Sequence, residues 1–169
     1  MIDAEYTRIM ARYNAWQNRQ LSDIVHAMDE DALTQDRGAF FGSIFATLNH
    51  LLWADKLWMS RFDPSVEPPQ VPAANHGNMT PTISVWGAER FHLDGKIRHW
   101  SMALRNLDLK GDLHWYSATA DAQMSRPKAE CIMHFFNHQT HHRGQIHAML
   151  TAAGETAPVS DLVFLPEGF

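Results

Sequence analysis

Four stretches of this chain repeat their apolar residues at steps of three and four, each over about 20–26 positions, a period that helices use and strands do not. The first runs from about Asp3 to Met28, with Tyr6, Ile9, Met10, Tyr13, Trp16, Leu21, Ile24 and Met28 in step. The second, from about Phe40 to Phe62, follows the turn Asp36-Arg37-Gly38. The third starts near Thr80 or Ser84 as N-cap, with Pro81 suited to a first turn, and continues to about Leu107. Trp86, Arg90, Leu93, Ile97, Trp100 and Leu104 mark its face, and Gly87 and Gly95 weaken it. The fourth opens after Pro127 and ends near Ala153, where Gly154 is placed to stop it. These segments predict an all-α fold, a four-helix bundle in a single domain over residues 1–169.

The connections refine that expectation. Asp29-Glu30-Asp31 reads as a solvated link. Residues 63–80 contain Pro64, Pro68, Pro69 and Pro72 and form a crossing longer than an antiparallel pair needs. Such a crossing can carry the chain along the bundle, so that the second and third helices run the same way. Leu113, Trp115 and Ser117 alternate with His114 and Tyr116, which predicts a small hairpin between the third and fourth helices. Its turn falls at Thr119-Ala120-Asp121 and its second strand ends near Met124. The tail holds Leu162-Val163-Phe164-Leu165 and is expected to dock on the bundle.

The second helix has two apolar stripes. Ile44, Phe45, Leu48, Leu51, Leu52 and Met59 form one, and Ala46, Trp53, Ala54 and Leu57 flank His50 on nearly the opposite side. A helix apolar on two sides is covered on two sides, so a partner chain or an extra segment is required, and a homodimer is one solution. Hydrophobic residues make up 45% and charged residues 20%, a balance that folds. The net charge of −5, with no Lys/Arg cluster, argues against duplex nucleic acid as a partner. Cys131 is the single cysteine, so no internal disulfide forms and a reducing compartment fits. No secretory signal and no uncharged apolar run of about 18 residues is evident, so a cytoplasmic location off the membrane is expected.

The fourth helix carries the chemistry. Between Cys131 and Leu150 lie His134, His138, His141, His142 and His147, out of eleven histidines in the chain. His134, His138 and His142 fall in one column, His141 at its edge, and His147 opposite. Side chains four apart sit about 5–6 Å from one another at Cβ, close enough for two imidazoles to share one metal ion. His138 with His142 is the first such pair, but His134 with His138 and His138 with His141 compete, so spacing leaves the choice open. A further ligand must come from elsewhere. His50 is the best candidate, because a neutral imidazole hemmed by apolar residues needs a partner for its ring nitrogens. His26, His76, His92, His99, His114 and His147 are expected to be polar or solvent-facing. His138-Gln139-Thr140-His141-His142 has the spacing of H-E-x-x-H zinc proteases, but Gln139 stands where their general-base glutamate would be, which excludes that chemistry. Asp55 lies on the other stripe from His50 and is not expected to act. Cys131, about 10 Å along the axis from His138, is expected to be a buried inert thiol.

Asn137-His138-Gln139-Thr140-His141-His142-Arg143-Gly144-Gln145 resembles the last-helix signature of the DinB family of damage-inducible metal-binding proteins. Leu48-Asn49-His50-Leu51-Leu52-Trp53-Ala54-Asp55 resembles the family's second-helix segment, and Tyr13-Asn14-Ala15-Trp16-Gln17-Asn18 and the ending from Gly154 through Leu162 look like it too. The resemblance implies a bundle of up-down-down-up order, often dimeric, and a divalent metal, commonly zinc or nickel, on three histidines. Carried over, these are His50, His138 and His142, the last being the histidine directly before Arg-Gly. The position of His141 is often aromatic in the family. Three nitrogens leave a tetrahedral ion one open position for water or a thiolate. Some relatives are thiol S-transferases or isomerases using low-molecular-weight thiols, and others are metal-dependent hydrolases. The expected function is therefore a metal-dependent enzyme of one of these types acting on a small-molecule substrate. The alternative is a non-catalytic metal-binding module for stress response or interaction.

Overall fold

The computed structural model describes residues 1–118 and 120–169, so the Thr119 part of the expected turn lies outside the described residues. The fold is mostly helical with one small sheet. Its helices are α1 (Ala4–Val25), α2 (Glu30–Thr34), α3 (Ile44–Phe62), α4 (Ile83–Ala103) and α5 (Lys128–Ala152). Strands β1 (Asp112–Ser117) and β2 (Ala122–Pro127) pair antiparallel, with Trp115 opposite Met124. The second strand thus runs three residues beyond the expected end, directly into α5.

Polar caps fix three helix starts. Asp3 accepts from the Tyr6 amide at 2.8 Å, Ser43 from Ala46 at 3.1 Å and Thr82 from Val85 at 3.3 Å. The cap of α4 is therefore Thr82, between the two expected residues. Thr80 instead bonds Asn49 Oδ1 through its amide at 2.9 Å and its hydroxyl at 2.7 Å, which ties the crossing to α3. α3 begins four residues later than expected. Arg37 N–H donates to Gly42 O at 2.8 Å and Gly42 has φ +77°, so the turn from Asp36 extends and leaves Phe40 and Phe41 outside the helix. α1 stops at Val25, three residues early, because Asp29-Glu30-Asp31 is more than a solvated link. It opens α2, where acidic side chains suit a helix N-terminus, and α2 inserts Leu33 into the core.

The core joins Leu21 and Val25 of α1 and Ile44, Leu48, Leu52 and Met59 of α3 to Trp86, Leu93, Ile97 and Trp100 of α4. Ile132, Phe135, Phe136, Ile146 and Leu150 of α5 complete it. Contacts along α3 and α4 advance together: Trp86 Nε1 donates to Leu48 O, Arg90 pairs with Asp55, and Trp100 stacks on Phe62. Contacts between α3 and α5 run the opposite way, from His50 with His142 to Phe62 with Phe135. Gly87 makes room for His26 at the end of α1: a Cβ there would lie 2.5 Å from His26 Cε1, and that exposed ring would have to move. Neither it nor Gly95 interrupts α4.

The crossing supplies the extra segment that the two-striped helix demanded. A 3₁₀ segment, Ala73–Asn78, lies along α3, and Trp53 Nε1 donates to Val71 O at 2.7 Å. The stripe around His50 is thus covered by the chain itself, and gives no argument for a second copy. The tail docks, largely through its backbone. Arg12, Tyr13 and Gln17 donate to tail carbonyls of Phe169, Ser160 and Val159, while Val163 and Phe164 point outward at 86% and 65% exposure.

Candidate metal centre

α3 and α5 bring His50, His138 and His142 together, with one ring nitrogen of each within 4.8 Å of the others. His138 Nε2 lies 3.3 Å from His50 Nε2 and 3.1 Å from His142 Nε2. Nitrogens bound at the usual zinc distance in a tetrahedral arrangement are about 3.3 Å apart, so the spacing fits a shared ion. His142 is buried and the other two are half-buried. The competing pairs do not converge in this way. His141 is exposed beside His142, and the exposed His134 packs on Trp58 with ring centroids 5.0 Å apart.

The outer partners orient these rings. His142 Nδ1 lies 2.8 Å from Gln145 Oε1, so it carries a proton and leaves Nε2 with a free lone pair. His50 Nδ1 lies 3.2 Å from His76 Nδ1 on the crossing. His76, expected to be polar or solvent-facing, is half-buried and its polar contact is with the site. Sequence reasoning missed it because it sits in a proline-rich link where no helical period places it. Phe41 was missed for a related reason: it was counted inside a helix. It packs its ring 4.0 Å from that of His50 and 5.4 Å from that of His142, and so forms one wall of the site.

Burial, and then the neighbouring imidazoles, push His50 and His138 down from 6.5 to about 3. Burial lowers His142 also, with its bond to Gln145 opposing. The three rings are neutral at neutral pH, with nitrogen lone pairs aimed at one place. That is the donor state a divalent ion needs. No Cys, Asp or Glu joins this group among the described residues. Cys131 is buried and its thiol is raised, chiefly by burial, as expected of an inert thiol.

Asp55 is committed elsewhere. Arg90 pairs with Asp55 and with Asp94, each at 2.7 Å, and all three are buried. Asn18 donates to both Asp94 oxygens at 3.0 Å, Asn14 donates to one at 3.1 Å, and Arg143 donates to Asn14 Oδ1. This network draws on α1, α3, α4 and α5, and Arg143 follows His142 directly. It holds the helix that carries two of the three histidines.

The DinB family profile matches residues 1–168. The chain belongs to the DinB family. Protein DinB of Bacillus subtilis (strain 168) is 25% identical over 150 residues, covering 88% of this chain and 87% of the relative. The crystal structure of a DinB-like protein from Bacillus cereus ATCC 10987 superposes with a TM-score of 0.64 at 16% identity, covering 87% of this chain and 90% of that one. That likeness speaks for the fold of this DinB-family chain. Its three-histidine cluster is built from the segments that carried the sequence resemblance. No helix among the described residues is long and apolar enough to cross a membrane.

Proposed function

We propose that this DinB-family protein binds one divalent transition ion, zinc or nickel, through Nε2 of His50, His138 and His142. The observation that carries the reading is the 3.1 and 3.3 Å spacing of these nitrogens, on rings that burial keeps neutral. Bound there, such an ion would supply Lewis acidity and a coordination site for a thiolate or a substrate oxygen. Gln145 and His76 hold the rings, and Phe41 shields one side from water. The reaction that fits is metal-dependent thiol transfer or hydrolysis on a small molecule, within an up-down-down-up bundle that works in the cytoplasm as a homodimer.

A non-catalytic metal-binding module is the second reading. The absence of a carboxylate from the cluster favours it, since nothing nominates a general base among the described residues. Elemental analysis of untagged protein comes first, with one ion per chain expected and less than a tenth of that in His142→Ala. Metal-loaded protein is then assayed against a panel of thiols with electrophiles and of hydrolysable esters and amides. Turnover lost in His142→Ala supports the enzyme, and stoichiometric metal with no turnover supports the module. A metal-free protein that takes up no zinc or nickel ends both readings. Sedimentation equilibrium tests the dimer.

A further inference from the structure

Arg61 lies on the same side of α3 as His50. It is eleven residues further on, three turns, or about 16 Å along the axis. Its guanidinium carbon sits 4.5 Å from the centre of the Trp58 ring and 5.3 Å from that of Trp115 on β1. The two indoles meet edge to face at 5.5 Å. Stacking occupies the faces of a guanidinium and leaves the N–H donors around its edge unused. Among the described residues, no oxygen accepts from Arg61. Arg8, Arg12, Arg37, Arg90 and Arg105 all donate to one. Asp112 and Glu130 act on Cys131 at the start of α5, yet neither pairs with Arg61. A half-buried cation held by two indoles, with its donors free, is an arrangement for receiving an anion.

The path from that cation to the three histidines is continuous. α3 and α5 run in opposite directions, so Arg61 faces the start of α5. The Trp58 ring is 5.0 Å from His134, and His134 is 5.8 Å from His138 one turn on. Helical side chains lean toward the N-terminus, which directs Arg61 back toward His50. The rings of Trp58 and His134 therefore occupy the stretch between the two ends.

We propose that Arg61, held against Trp58 and Trp115, is the anion subsite of this centre. The ligand that engages the three-histidine end carries a carboxylate at its other end. The edge of Arg61 receives that carboxylate, and Trp58 and His134 line the stretch between. This rests on the metal reading above. The test uses zinc-loaded protein and straight-chain mercaptocarboxylic acids of increasing length, each beside its carboxamide, titrated by calorimetry and by tryptophan fluorescence. The longer acids bind about tenfold tighter than their amides, and the shortest show no preference. Arg61→Met abolishes the preference while zinc stoichiometry and affinity stay as in the wild type. Arg61→Lys keeps the charge but not the planar fork, and retains only part of the preference. Equal affinity for acid and amide at every length, or a preference that survives Arg61→Met, overturns the anion subsite and leaves the metal reading standing. Failure of the wild type to hold zinc removes both.

Discussion

Replacing Arg90 by Met keeps an unbranched side chain of similar reach and deletes one charge from the middle of the protein. Two carboxylates face that charge at 2.7 Å. Asp94 retains its bonds from Asn14 and Asn18. Asp55 loses its one well-formed partner, since the Gln139 amide lies beside it outside good hydrogen-bond geometry. Breaking a buried ion pair on one side costs about 3–5 kcal/mol. For a chain of this size that lowers Tm by about 6–20 °C. The pH dependence identifies the cause. Burial already lifts Asp55 from 3.8 to about 6 against the pull of Arg90. The folded state therefore holds that proton more tightly than the unfolded chain. The resulting stabilisation is complete below the unfolded value and is lost as pH rises through the folded one. Without Arg90 the folded value climbs higher, and the gap between wild type and variant widens above about pH 6, by about 1.4 kcal/mol per pH unit. Urea unfolding at about pH 6, 7 and 8 measures this. Adding Asp55→Leu to Arg90→Met removes the orphaned carboxylate and recovers most of the loss. A gap below about 1 kcal/mol, or one flat across that range, would refute the reasoning.

Three further outcomes are expected. His76→Ala removes the partner of His50 Nδ1 and weakens zinc binding by about 10–100-fold in a chelator competition, while a glutamine there, which keeps an acceptor, restores part of it. In metal-free protein, His50 and His138 stay neutral down to about pH 3 where the unfolded chain protonates near 6.5. They subtract stability as pH falls through that window, so thermal melts of a His50→Gln/His138→Gln protein lose less on acidification than the wild type. Asp55 works in the opposite direction in both proteins, so only their difference is diagnostic. Ser43→Ala removes the cap of α3 and costs about 1 kcal/mol by urea unfolding; no loss would mean that the start of α3 is set by the Gly42 turn alone.

The long helices were legible because their period extends over many residues and a few misplaced ends do not disturb it. The three histidines were legible as a set only through the family signature. Period alone puts His134, His138 and His142 in one column and cannot say which pair meets the histidine of α3. What packs behind the column decides that: His134 turns to Trp58, whereas His138 and His142 turn to His50. The short elements were not legible. α2 spans five residues, too few for a period, and the bend at Gly42 shows itself only through a positive φ. Arg90 was visible as a face marker on α4, but its two carboxylates come from another helix and from its own next turn. Only the packed structure joins them.

The segment that overlies α3 also brings the imidazole against His50. Side chains on a connecting segment are easier to replace than those inside the helices it joins. On the proposed metal reading, changing His76 there would alter how firmly an ion is gripped while the three histidines of the cluster and their helices stay untouched. On that reading affinity and scaffold would be adjustable separately, and an engineer wishing to retune the proposed centre should begin at Ala73–Asn78.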